Sequence, residues 1–161
     1  MACTLEDGCQ HCPGLTGVAS MVAADTMQDG APDRSAPVWW DRACFLSDEA
    51  PDRRCPEVID VTGRARFLFF GPFIPLGRGL WRATVRLELC PDAARRTLAL
   101  QFGVEPDYTT HDLPSGACGS LTPQIDFLCE TPGTAQVRLW LKKAAFHGEV
   151  RLAGARVEPV A

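Results

Sequence analysis

Across Trp81–Leu89 apolar and polar side chains alternate without a slip. Trp81, Ala83, Val85, Leu87 and Leu89 fall on one side, and Arg82, Thr84, Arg86 and Glu88 on the other. Successive side chains leave a pleated backbone on opposite faces, so the pattern predicts a strand with one dry face and one wet face. Just upstream, Phe67 and Phe69 belong to an earlier strand. Gly71-Pro72 is expected to break it, because proline has no donor to give to a ladder. Gly77-Arg78-Gly79 then turns the chain. The whole stretch Ala65–Cys90 therefore predicts strand, bend, tight connection and strand, the opening of an antiparallel sheet.

The same period recurs downstream. Leu98, Leu100, Phe102 and Val104 alternate with Thr97, Ala99, Gln101, Gly103 and Glu105, a second half-wet strand expected to pair with the Trp81 strand. Three more strands follow, with Ile125, Phe127 and Cys129 inward in the first, Val137, Leu139 and Leu141 in the second, and a last one over Glu149–Val160. Val58–Val61 predicts a short strand, and Val38-Trp39-Trp40 an aromatic pair packed at the edge of the ordered body. Between these, Asp41–Pro56 reads as a loop or a single helical turn, Pro91–Arg96 as a turn and Pro106–Pro123 as a long loop. No segment sustains a 3.6-residue period. Short strands with turns at intervals of about eight to twelve residues predict an all-β fold, an antiparallel β-sandwich of the jelly-roll kind.

Composition adds bounds. With 161 residues, 46% of them hydrophobic, the chain is about one domain long. Residues 38–161 are assigned to the sandwich. Residues 1–37, rich in Gly, Ala, Asp, Ser and Pro, are expected to form a disordered or irregular tail. A net charge of −4 and the absence of a long Lys/Arg run argue against nucleic acid. No apolar run is long enough to span a membrane. The acidic start lacks the basic and apolar regions of an export signal, which predicts a cytoplasmic protein whose eight cysteines are reduced thiols. Cys9-x-x-Cys12, beside Cys3 and His11, is half of a zinc site. A structural zinc site draws on a second pair, and none follows, so no metal is assigned.

The chemistry-bearing residues concentrate on one strand. If Val137, Leu139 and Leu141 point inward, Gln136, Arg138, Trp140 and Lys142 point outward. Sugar recognition needs flat aromatic faces for the apolar side of a pyranose and planar polar groups for its hydroxyls. Trp140 and Arg138 supply both. Arg82, Arg86 and Gln101 are expected to line the same groove if these outward faces belong to one sheet. The alternative is that Trp140 meets protein, as in a structural or assembly subunit or an oligomer. Another alternative is a hydrolase built on His111 and Asp112, with Ser115, Cys118 or Ser120 as nucleophile, although no nucleophile elbow surrounds them. Glu105, Asp107 and Asp112 offer oxygens of the kind Ca²⁺ takes, without EF-hand spacing, and no cofactor is assigned.

The phrase Phe70-Gly71-Pro72-Phe73-Ile74, continued by Leu76, Gly79, Trp81 and Ala83, resembles one found in bacterial β-sandwich domains attached to glycosyltransferases and other polysaccharide-handling proteins. The closing segments, Val137–Trp140 and Gly148–Val157, are similar to the last hairpin of such galactose-binding-like, carbohydrate-binding-module-like domains. Phe73 and Trp81 stand where that phrase has or often has Tyr. The resemblance spans about Val58–Val157. It implies a non-catalytic carbohydrate-binding or polysaccharide-biosynthesis accessory domain, whose partner is a glycan or a glycan-handling protein.

Overall fold

A computed structural model describes residues 36–160. Twelve strands carry the fold: β1 (Val38–Asp41), β2 (Leu46–Ser47), β3 (Ala50–Arg54), β4 (Ile59–Asp60), β5 (Arg66–Leu76), β6 (Gly79–Leu89), β7 (Leu98–Val104), β8 (Asp107–Asp112), β9 (Gly119–Leu121), β10 (Gln124–Cys129), β11 (Gly133–Leu141) and β12 (Glu149–Pro159). A 3₁₀ turn at Arg42–Cys44 and a single α-turn at Pro91–Ala94 complete it. The expected tail and its Cys9-x-x-Cys12 lie outside the described residues.

The strands form two antiparallel sheets that share one core, an all-β sandwich as the alternation predicts. The first sheet runs β1-β12-β6-β10, with β4 on β12 and β9 on β6. The second runs β3-β2-β5-β11-β7-β8. The inner faces follow the sequence pattern closely: Ala83, Val85, Leu87 and Leu89 come from β6, Leu98, Leu100 and Phe102 from β7, and Val137, Leu139 and Leu141 from β11. Apolar area removed from water by this interdigitation is the main driving force of the fold.

Four expectations change. The break at Gly71-Pro72 does not end a strand. β5 continues through it and absorbs the irregularity as a bulge, with register shifts opposite Ala135/Gln136 and Leu139/Trp140. The two halves of Ala65–Cys90 do not pair with each other: β5 bonds β2 and β11, whereas β6 bonds β12, β10 and β9. Nor do β6 and β7 pair. The α-turn at Pro91–Ala94, capped by Cys90 and led by Pro91, carries the chain from one sheet to the other, so β7 lies between β11 and β8. Finally, the expected loop Pro106–Pro123 contains β8 and β9.

Trp40 and Trp39 divide as a strand requires. Trp40 enters the core at 2% exposure, and Trp39 stands on the outer side of the first sheet. Among the described residues Cys55, Cys90, Cys118 and Cys129 are free thiols. Burial pushes the Cys55 thiol up to about 11, against a smaller opposing pull from Arg42, so near neutral pH it packs as a small uncharged group. No helix among the described residues is long and apolar enough to cross a membrane.

Candidate functional site

The outer face of the second sheet gathers most of the chain's outward aromatic rings. On β11 the outward positions are Gln136, Arg138, Trp140 and, just past the strand, Lys142. In register beside them stand Pro72, Phe70 and Phe67 of β5 on one flank, and Gly103, Gln101 and Ala99 of β7 on the other. The bulge at Leu139/Trp140 keeps Phe67 opposite Trp140 while Leu68 and Phe69 both stay in the core. Beyond β7, the edge strand β8 places Tyr108, Thr110 and Asp112 opposite Gly103, Gln101 and Ala99.

Small residues on β7 let the larger side chains on either side meet above it. The Arg138 guanidinium lies 3.5 Å from the Tyr108 ring centroid and 4.7 Å from that of Phe67, held between two aromatic faces. Phe67 in turn touches Trp140, with centroids 6.2 Å apart and planes tilted by 42°. The Lys142 ammonium sits 5.8 Å from the Trp140 ring and is bonded to both Asp112 carboxylate oxygens, at 3.0 and 3.3 Å. The result is a continuous array, Tyr108–Arg138–Phe67–Trp140–Lys142, whose members fix one another's orientation. Each cation–π contact contributes about 0.5–2 kcal/mol, depending on its exposure. Phe73, at a positive φ of 66° and 42% exposed, extends the aromatic row through an edge contact with Phe70.

Planar polar groups border the array. Gln136 Nε2 donates to the Tyr108 hydroxyl at 3.2 Å, and Gln101 Nε2 donates to Thr110 Oγ1 at 3.1 Å. Burial raises the Tyr108 pKa, opposed by the nearby Arg138 charge and reinforced by Glu105, so the phenol keeps its proton.

Three of the five expected binding residues, Arg138, Trp140 and Gln101, share this face. Arg82 and Arg86 do not. They belong to β6 of the first sheet, and outward faces on opposite sides of one core cannot line one groove. Arg82 is held by Asp126 through two bonds of 2.7 and 2.8 Å, and these hydrogen bonds keep the Asp126 carboxyl below the usual range. Arg86 lies 5.1 Å from the Trp39 ring. The condition on which the five-residue groove rested, a single sheet, is not met.

Phe67, Phe70 and Tyr108 join the face without any signal in the alternation to place them there. Tyr108 falls within the expected loop, because β8 is an edge strand with mostly exposed side chains and no inward apolar series to reveal its period. His111, opposite Leu100 on β8, lines a shallow recess with Arg82, Thr109, Thr110, Gln124, Ile125 and Asp126. Ser115, Cys118 and Ser120 are not among the residues lining it. Among the described residues no three of His, Cys, Asp or Glu come together to hold a metal ion, so Glu105, Asp107 and Asp112 do not build the oxygen cage that Ca²⁺ takes. A cleft of about 1050 Å³ opens at one end of the sandwich, between the β7–β8 turn at Glu105-Pro106 and the segment Glu130–Thr134.

No protein-family model matches the chain, and no curated protein matches it in sequence. Among solved structures, a carbohydrate-binding module in complex with beta-1,4-galactotriose aligns over 77% of this chain and 69% of its own, with a TM-score of 0.46 and 9% sequence identity. The sandwich stands on its own strand pairing, independent of that likeness.

Proposed function

We propose that this chain is a non-catalytic carbohydrate-binding domain and that its ligand lies on the outer face of the second sheet. The observation that supports this most is the array Tyr108–Arg138–Phe67–Trp140–Lys142, an aromatic surface on rigid strands with amides and charges in reach. A pyranose presents an apolar side that stacks on such rings and equatorial hydroxyls that bond to planar amides and guanidinia. Each side chain in the array is braced by its neighbours, so little rotamer freedom remains to be lost on binding, and preorganisation of this kind favours affinity. The Phe70–Ala83 phrase further suggests an accessory role beside bacterial polysaccharide-biosynthesis enzymes, on the cytoplasmic side.

Affinity-gel or glycan-array binding tests the reading. The intact chain is expected to bind at least one glycan class, and Trp140→Ala to weaken that binding by about tenfold to a hundredfold, as loss of a central aromatic anchor does elsewhere. Thermal unfolding of the variant should stay close to that of the parent, because Trp140 lies outside the core. No binding to any glycan by the intact chain would reject the proposal.

A second reading, a docking or assembly subunit, has its own observation. Leu80 and Leu128 face each other in register on β6 and β10 and are 39% and 58% exposed, an apolar pair at the edge of the first sheet. Light scattering tests this reading: a stable oligomer that Leu128→Lys dissociates would support assembly through the pair, and a monomer would reject it.

A further inference from the structure

Arg138 differs from the other cations of the binding face in having no counter-charge. Lys142 is neutralised by Asp112 at 3.0 Å, but among the described residues no carboxylate lies within ion-pair distance of Arg138, and its terminal nitrogens make no hydrogen bond. Its Nε is buried without a partner. The Tyr108 and Phe67 ring centroids lie 3.5 and 4.7 Å from the guanidinium carbon and come from strands on opposite flanks of β11, so the rings crowd the group from two sides and its terminal N–H groups are left to meet a ligand. A guanidinium whose terminal N–H groups are unclaimed matches the two oxygens of a carboxylate. The spot is positive on a chain whose net charge is −4. A like distribution over a neutral-sugar site would leave one partly desolvated charge unanswered, at an energetic cost.

We propose that the glycan recognised on this face is acidic, a uronate-containing oligosaccharide whose carboxylate is received by Arg138. This deepens the carbohydrate-binding reading and rests on it. Arg138 and Trp140 are two positions apart on one strand face, about 7 Å along the strand. A uronate whose carboxylate meets Arg138 therefore brings its own or the adjoining ring over Trp140 and Phe67. The Tyr108 hydroxyl, which accepts from Gln136, keeps its proton free to donate to the same carboxylate or to a ring hydroxyl. The carboxylate is bound as an ion, and no bond is made or broken.

The test uses the full chain and matched ligand pairs: galacturonate, glucuronate and mannuronate oligosaccharides, and the same oligomers methyl-esterified at the carboxyl, alongside a panel of neutral oligosaccharides. Titration calorimetry is expected to show at least one acid form bound about tenfold or more tightly than its ester, the preference a charge-assisted pair confers. That preference should shrink as salt is raised and vanish in Arg138→Gln. Because esterification alters the ligand and leaves the protein untouched, the comparison holds even if Arg138→Gln disturbs the ring stack. Acid and ester bound equally, or a neutral oligosaccharide bound more tightly than every uronate, would overturn the acidic assignment and leave the sugar-binding reading standing. No binding to any member of either panel would overturn both.

Discussion

Phe102→Ala is expected to lower the free energy of unfolding by about 3–5 kcal/mol, the range for deleting a buried aromatic ring. Phe102 belongs to β7 of the second sheet, is fully buried, and meets Trp40 and Phe127 edge-on at centroid distances of 6.5 and 5.8 Å. Both partners come from the first sheet, on β1 and β10, so this ring joins the two layers. Removing it forfeits the transfer free energy of the ring and leaves a cavity between sheets whose backbones are pinned by their ladders and cannot close over it. Phe102→Leu, which keeps most of the volume, should cost far less, about 1 kcal/mol. Urea unfolding of the two variants measures the difference. A loss below about 1 kcal/mol for the alanine variant would mean that the layers are not packed through this ring.

Gly154→Ala is the next largest effect, a loss of about 3 kcal/mol from backbone strain and overpacking together. Gly154 follows a bulge in β12, where Leu152 pairs with Leu87 and Gly154 with Arg86, and its φ is +149°, a conformation that L side chains rarely adopt. A Cβ there would meet the Trp40 carbonyl oxygen and lie 2.6 Å from Cζ2 of Trp39. The Trp39 indole rests against this glycine, with Arg86 over its ring, so the methyl would have to lift both the β1 backbone and the indole. Gly77→Ala is the matched control, because a Cβ at Gly77 meets nothing within 4 Å. A melting temperature that falls by the same small amount in both variants would contradict the argument.

What the sequence disclosed follows from the physics of alternation. A half-buried strand announces its two faces, so the inward series of β6, β7, β10 and β11 and the outward position of Trp140 were legible. Alternation does not say which strand lies beside which. Arg82 and Gln101 looked like neighbours because β6 and β7 are consecutive in the chain, yet a four-residue helical turn places them in different sheets. The bulges in β5 were hidden for a related reason: Phe67, Leu68, Phe69 and Phe70 are all apolar, so nothing in the text marks the shift that sends Phe67 and Phe70 outward while Leu68 and Phe69 stay inside. Tyr108 was illegible because an edge strand with two wet faces carries no period. The aromatic face depends on the residues that periodicity could not place.

Ligand is proposed to meet the outer side of the second sheet. Nuclear magnetic resonance titration with the tightest-binding oligosaccharide of the panel tests it most directly, because the four indole N–H signals of Trp39, Trp40, Trp81 and Trp140 sample the core and both outer faces. The expected result is a large, saturable shift of the Trp140 indole together with amides of β5, β7, β8 and β11, while the other three indoles stay in place. Shifts centred on Trp39 and the β6 and β12 amides around Arg86, with Trp140 unmoved, would contradict it.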